Sequence, residues 1–185
     1  GARMHYPNGL FQHAGFIFDL DVGPQHEGRW MPATATGPDH RWSRARRAAA
    51  VTGAFMGMRR DLFEEVGGFD EVTYEIDFSD LDLCLDVRAR GYDVIYEPEL
   101  LLVHHESASR GYNRSRAKRR RASEEAARFR AKWGEAAQFD PGYNPHWSRL
   151  DASFDGFRKM RLEEVIEHIK RSTTEAPWRV GQAKS

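Results

Sequence analysis

Residues 79–105, SDLDLCLDVRARGYDVIYEPELLLVHH, change their period part-way along. Ser79 is a good N-cap, Asp80 and Asp82 favour the positive end of a helix dipole, and Gly91 supplies a stop, so the first half predicts a helix from about Ser79 to Arg90. Tyr92 to Tyr96 then alternates as a strand does, and Pro98 breaks the alternation. Leu100–Val103 reads as a buried strand that delivers His104 and His105 at its end. A helix feeding strands in this way predicts an α/β fold.

Upstream, Gly67-Gly68 stop a shorter helix that has Asp61 as its candidate N-cap and Glu64 three residues on. Before it, the run Ala48 to Met58 is apolar with glycines at 53 and 57, which predicts a buried strand with close backbone approach at Gly53. Phe16-Ile17-Phe18 predicts a short strand. Between Asp21 and Arg47 no period persists, and Gly23-Pro24, Met31-Pro32 and Gly37-Pro38 mark turns, the pattern of a lid or binding loop. Downstream, Ala122, Ala126, Phe129 and Trp133 place one apolar stripe on a helix spanning roughly Asn113 to Trp133. Asp140-Pro141-Gly142-Tyr143-Asn144-Pro145 is a turn cluster, and Phe157 to Ile169 predicts a terminal amphipathic helix. Residues 1–150 form one unit in this reading, and 151–185 a helical extension and tail.

The chain of 185 residues is 40% hydrophobic and 30% charged, with a formal net charge of zero, an ordinary globular composition. No window approaches the roughly 18 apolar residues of a membrane span. The opening residues Gly1-Ala2-Arg3-Met4 show no signal peptide and read like the middle of a longer chain. One cysteine, Cys84, excludes an internal disulfide and fits a reducing compartment. The charges are sorted: thirteen acids against Arg88 and Arg90 between Asp61 and Glu99, then ten bases against Glu124 and Glu125 between Arg110 and Lys132. Such sorting suits an acidic region that holds a cation or hydroxyl-rich ligands beside a basic face that meets phosphates, or simply two solvated faces.

Three pieces carry chemistry if the strands are neighbours: Gly67-Gly68-Phe69-Asp70-Glu71, Ser79-Asp80-Leu81-Asp82-Leu83, and Val103-His104-His105-Glu106-Ser107. The last two belong to the longer stretches Phe78-Ser79-Asp80-Leu81-Asp82-Leu83-Cys84-Leu85 and His104-His105-Glu106-Ser107-Ala108-Ser109-Arg110-Gly111. With Arg90-Gly91-Tyr92 and Pro98, and with Tyr6-Pro7-Asn8-Gly9, Gln12-His13-Ala14-Gly15, Val51-Thr52-Gly53-Ala54 and the 140–145 turn cluster, they stand in an order that resembles bacterial family 2 glycosyltransferases. The nearest likeness is to those building O-antigen and related surface polysaccharides. It covers roughly residues 1 to 150.

The resemblance implies the C-terminal, acceptor-side portion of a GT-A nucleotide-diphospho-sugar transferase fold, a mixed sheet flanked by helices, without the N-terminal nucleotide-binding half. It implies an inverting, hexosyltransferase-type and metal-dependent enzyme. A nucleotide-sugar would be the donor, and a glycan or lipid-linked molecule the acceptor. In such a reaction the acceptor hydroxyl attacks the anomeric carbon opposite the nucleoside diphosphate, which calls for a general base and a cation on the leaving group.

Asp80 matches the family's catalytic aspartate, and the helix dipole is expected to keep it ionised; the alternative is an acid that only stabilises the helix start. Ser79 stands where relatives often carry Glu, and Asp86 where they usually carry a basic residue. His104, or His105 if the register slips by one, matches a histidine that completes a Mn²⁺ or Mg²⁺ site or touches the diphosphate; either could instead be a strand-end histidine satisfied by backbone. The rest of the metal site would be an Asp-x-Asp motif upstream of this chain. Asp19-Leu20-Asp21 has those letters but comes too late in the order. Phe69 and Asp70 are acceptor-side candidates. Asp82 is grouped with them, although on a helix it points away from Asp80 and reads as structural. Thr52, Gly53 and Arg110 are candidates for the donor and its diphosphate.

A rival function is a basic module using Arg114-Ser115-Arg116-Ala117-Lys118-Arg119-Arg120-Arg121 on nucleic acid or an anionic membrane. The run lacks interleaved aromatics for base stacking, so nucleic acid is not the expected partner. The same run could hold a cytoplasmic enzyme at the inner face of the cell membrane. A metal-dependent hydrolase using His104, His105 and Asp80 finds no close-spaced ligand motif. Without the nucleotide half, residues 1–185 are expected to show no tight site for a nucleoside diphosphate and Mn²⁺ in isothermal titration; sub-micromolar binding contradicts this reading.

Overall fold

β1 (Ala2–His5) is apolar on alternate positions and lies inside a sheet. It pairs antiparallel with β2 (Phe11–His13), while its other edge runs parallel to a long strand near the middle of the chain. β3 (Phe16–Ile17) and β4 (Gln25–His26) form a separate antiparallel ribbon. β5 (Arg46–Arg47) and β6 (Ile95–Val103) complete the main sheet in the order β2-β1-β6-β5, with β5 antiparallel to β6. Helices α1 (Arg60–Glu65), α2 (Ser79–Ala89), α3 (Arg116–Trp133) and α4 (Leu162–Ser172) accompany the sheets. The fold is therefore mixed α/β. The computed structural model describes residues 1–75, 77–105, 115–150, 154–181 and 183. Among them no helix is long and apolar enough to cross a membrane.

Pro98 does not divide the second strand region in two, as its sequence predicts. β6 runs through it, because Ala2 pairs with Glu97 while the next residue, Arg3, pairs with Leu101. Pro98, Glu99 and Leu100 are thus looped out opposite a single step of β1, where a residue without an N–H costs no ladder bond. The apolar run from Ala48 also differs from expectation: beyond β5 it joins no ladder, and its amides are met by other means, described below.

α2 is buried on nearly every side: Leu81, Leu83, Cys84, Leu85 and Val87 all lie in the core. Its start is not capped by Ser79. Phe78 is the N-cap residue, at φ 70°, and Ser79 is the first helical residue. Two buried polar residues of α2 tie it to its surroundings. Asp82 accepts from Lys132 Nζ at 2.8 Å and Trp133 Nε1 at 2.7 Å, which docks α3. Arg88 donates to the carbonyls of Ala49 at 3.1 Å and Trp178 at 2.8 Å, which draws the C-terminal segment onto the same helix. α3 has the expected stripe, with Phe129 and Trp133 buried, and adds a buried Glu125 that accepts the Asp77 amide at 2.8 Å. Ser115 caps it by accepting from the Lys118 amide. In its basic first turns, Arg121 pairs with Glu75 and Arg120 with Glu124. α4 starts five residues later than predicted, and Leu162, Ile166 and Ile169 on it are exposed.

The stretch from Asp21 to Arg47 has no period because one buried side chain orders it. Glu27 is fully buried, with Arg41 Nε at 2.6 Å and Arg46 at 2.7 Å. Trp42 Nε1 donates to it at 2.7 Å. Arg46 also donates to the Ala14 carbonyl at 2.6 Å, joining the loop to the end of β2. Gly37, at φ 70°, is required here: a Cβ would stand 2.5 Å from the Trp42 ring. Removing one partner of a buried ion pair costs about 3–5 kcal/mol, since the others stay buried without compensation. Glu27→Ala is therefore expected to lose about that much stability in urea unfolding, and a loss below about 1 kcal/mol contradicts the assignment of Glu27 as the organising charge.

Candidate active site

Val51, Thr52 and Gly53 follow the buried alanines 48–50 and present three successive amides to three side chains. Val51 N–H meets Cys84 Sγ at 3.5 Å, and the thiol returns a contact to the Val51 carbonyl at 3.6 Å. Thr52 N–H donates to His13 Nε2 at 3.3 Å. Gly53 N–H donates to Asp80 Oδ2 at 2.9 Å. α2 and β2 thus grip this segment with side chains where a neighbouring strand would have used carbonyls. Gly53 permits the closeness: a Cβ there would lie 3.3 Å from Asp80 Cβ and 3.8 Å from the Phe69 ring.

Asp80 is half-buried in the first turn of α2. Its Oδ1 accepts from the Leu81 amide at 2.9 Å, and the Thr52 hydroxyl donates to the carboxylate as well. Burial nevertheless outweighs these bonds and raises its pKa above the ordinary aspartate value. Burial is thus the largest influence on its proton affinity, and the donors at the helix start oppose it. The Asp80 backbone amide also points at the carboxylate, so the group is held by short-range donors on the protein side.

Beside Thr52 opens a cavity of about 150 Å³ lined by Gln12, His13, His26, Arg29, His104 and Met4. Among the described residues no carboxylate lines it. Gln12 holds His104 at both ends: its Oε1 meets His104 Nδ1 at 3.0 Å and its Nε2 meets the His104 carbonyl at 3.5 Å. An amide oxygen can only accept, so His104 carries a proton on Nδ1, and in the neutral ring the lone pair is then on Nε2, the form a metal needs. On the other side, the Nδ1 atoms of His13 and His26 are 2.8 Å apart. Burial, with His26, the N-terminal amine and Arg46 nearby, holds His13 well below the usual histidine pKa.

The structure brings Thr52, Gly53, Asp80 and Phe69 together, and Thr52 shares its cavity with His104. Asp80 itself stands behind Thr52 and is not among the residues that line the cavity. Phe69 is about one-third exposed (36%) and packs edge-on to Phe63. Asp70 caps the turn after it, accepting from Thr73 N at 2.8 Å; that bond and the Thr73 side chain outweigh burial and lower its pKa. Asp82 is not brought to this surface, because its oxygens are taken by Lys132 and Trp133 beneath α3. His105 is exposed. Arg110 and Arg114 lie outside the described residues. Among the described residues no group of three His, Cys, Asp or Glu is placed to hold a metal ion.

Sequence reasoning quotes Gln12 and His13 only as part of a resemblance and passes over His26 and Arg29. The last two sit in the aperiodic loop, where only the fold shows that they reach the cavity. Asp19 and Asp21, which carry the Asp-x-Asp letters, lie elsewhere and both pair with Arg149.

Two curated proteins are similar to the chain. Uncharacterized protein y4gI of Sinorhizobium fredii (strain NBRC 101917 / NGR234) is 38% identical over 146 residues, 79% of this chain and 16% of that protein. O-antigen biosynthesis protein RfbC of Myxococcus xanthus is 33% identical over 166 residues, 86% of this chain and 12% of that protein. The chain spans less than one-fifth of either relative. No family model matches it, and no solved structure does.

Asp19 offers a test of the electrostatics away from the cavity. Burial raises its pKa to about 6 in spite of Arg149 at 3.0 Å. A carboxyl whose folded pKa lies above its unfolded value of 3.8 stabilises the fold while protonated, and that contribution is lost as pH rises from about 4 to about 6. The shift corresponds to about 3 kcal/mol. Unfolding free energy is expected to fall across this window in the wild type and to change less in Asp19→Asn; identical pH profiles contradict the assignment.

Proposed function

We propose that this chain is the acceptor-side half of an inverting, family 2-type glycosyltransferase domain that works in surface polysaccharide synthesis. The observation that carries the reading is the tether of Asp80 to Thr52 and Gly53 at the edge of the cavity that holds His104. The likeness to a protein of O-antigen biosynthesis supports it.

In this reading an acceptor hydroxyl approaches Asp80 over Gly53, where no side chain obstructs it, and Phe69 offers an apolar face to a sugar ring. The hydroxyl oxygen forms its bond to the anomeric carbon of the donor. Its proton passes to Asp80, and the anomeric carbon–oxygen bond to the nucleoside diphosphate breaks with its electron pair leaving on the diphosphate. A carboxylate whose proton affinity is raised by burial is a better base than an exposed one, so the environment of Asp80 suits the task. Thr52 and the cavity behind it, with Arg29 and His104, suit the anionic leaving group.

His104 Nε2 is the ligand this chain would offer a divalent cation. The described residues do not complete a metal site. A Mn²⁺ or Mg²⁺ would neutralise the departing diphosphate, and its other ligands, with the nucleotide pocket, would belong to parts of the full-length protein outside residues 1–185. The exposed bases at the start of α3 suit contact with an anionic membrane carrying a lipid-linked acceptor, at the cytoplasmic face. The separate nucleic-acid module gains no support, because the run carries no interleaved aromatic side chains for base stacking.

Asp80→Asn keeps the size of the side chain and an acceptor for Gly53 but removes the base. In the full-length protein it is expected to lower sugar transfer by at least about 10²-fold, the usual scale of general-base loss, with nucleotide binding unchanged. Transfer at the wild-type rate in this variant rules out Asp80 as the base.

A further inference from the structure

We infer that His13 is a positioning residue for Asp80, acting through the backbone of Thr52 and Gly53. The inference rests on the reading of Asp80 as the group that meets the acceptor. His13 touches neither Asp80 nor the proposed reacting atoms, and neither relative's description assigns it a part.

Thr52 sits between two peptide planes. The plane before it is held by His13, which accepts the Thr52 N–H at 3.3 Å, and more weakly by the Cys84 thiol, which contacts the Val51 carbonyl at 3.6 Å. The plane after it is held by Asp80, which accepts the Gly53 N–H at 2.9 Å. With both planes held, the φ and ψ of Thr52 are set from both sides, and its hydroxyl is aimed at the Asp80 carboxylate. If His13 no longer accepts, only the long thiol contact holds the first plane, so Thr52 can turn and the Gly53 bond to Asp80 turns with it. Gly53 cannot resist, since it lacks the Cβ that narrows backbone freedom elsewhere.

This arrangement works with one chemical form of His13. A backbone N–H only donates, so Nε2 must be bare, and the proton of the neutral ring is on Nδ1, directed to His26 Nδ1 at 2.8 Å. A proton on Nε2 would set one N–H against another. The surroundings favour the neutral ring: it is fully buried against Phe16, with Arg46, His26 and the N-terminal amine as its cationic or titratable neighbours. His26 therefore fixes the tautomer, His13 passes that choice to Thr52, and Thr52 and Gly53 pass it to Asp80. The cavity wall and the proposed base are two ends of one hydrogen-bonded chain.

The tautomer can be read in the unaltered protein by nitrogen NMR of labelled histidine. His13 is expected to be protonated on Nδ1 and bare on Nε2 throughout the range of about pH 6 to 8. A proton on Nε2 overturns the inference. Two variants then separate positioning from packing. His13→Gln reaches the Nε2 position with an amide oxygen and keeps an acceptor for Thr52, whereas His13→Asn reaches only the Nδ1 position. Losing a donor to a carboxylate raises its pKa, so the Asp80 carboxyl titration is expected to move up by about one pH unit in His13→Asn and to stay at the wild-type midpoint in His13→Gln. A wild-type midpoint in both variants, or an equal shift in both, overturns the inference. These measurements need no sugar or nucleotide. Their failure leaves the glycosyltransferase reading standing, and that reading fails separately if Asp80→Asn in the full-length protein still transfers sugar.

Discussion

Glu27 is the charge around which the first third of the chain is arranged. A carboxylate with no exposure to water must find its solvation inside the protein, and here two guanidinium groups and an indole N–H supply it. Each donor arrives from a different point of a loop that lacks a repeating pattern, so satisfying Glu27 fixes where the loop goes. Arg46 extends the constraint to the Ala14 carbonyl, and β5 begins at Arg46 itself. The ribbon that carries His26 is thereby held against β2, which carries Gln12 and His13. The cavity wall is a consequence of a buried charge that does not line it.

The second organising device is the grip on residues 51–53. Extended segments in a core usually satisfy their amides in a sheet. This one uses a thiol, an imidazole and a carboxylate in succession. Side chains as acceptors place the segment by the positions of β2 and α2 rather than by a strand register. They also bring groups capable of proton chemistry to the backbone that the proposed acceptor would approach. Cross-links of this kind join elements that share no ladder, and they relate Asp80 to the His104 end of the sheet.

Much of this architecture is legible in the residues. The stop at Gly67-Gly68, the buried helix after Ser79, the stripe ending in Trp133 and the delivery of histidines by a strand all follow from period and from turn chemistry. Where reading and structure part, a tertiary contact decides. Pro98 predicts a break, but a three-residue bulge opposite one step of β1 absorbs it. Ala48 to Met58 looks like a strand because it is apolar, but after backbone bonds to Val94 and Phe16 at Ala48 and Ala50, its amides at 51–53 go to side chains distant in sequence. Ser79 looks like a cap, yet a left-handed Phe78 takes that position. Asp82 and Asp80 are indistinguishable by type, and only the place of Trp133 and Lys132 shows that one is sealed under α3. His26, Arg29 and Glu27 lie in a loop with no period and so left no trace at all.

Cys84 has a consequence of a different sort. Burial lifts its thiol pKa to about 12, and its sulfur is in contact with both the amide and the carbonyl of Val51. Thiolate is the reactive form, so the native protein keeps its single sulfhydryl chemically silent. An alkylating reagent will mark it in those molecules whose α2 has momentarily parted from residues 51–53. The chain thus carries its own clock for the opening of that joint, and the labelling rate reads it without any engineered reporter.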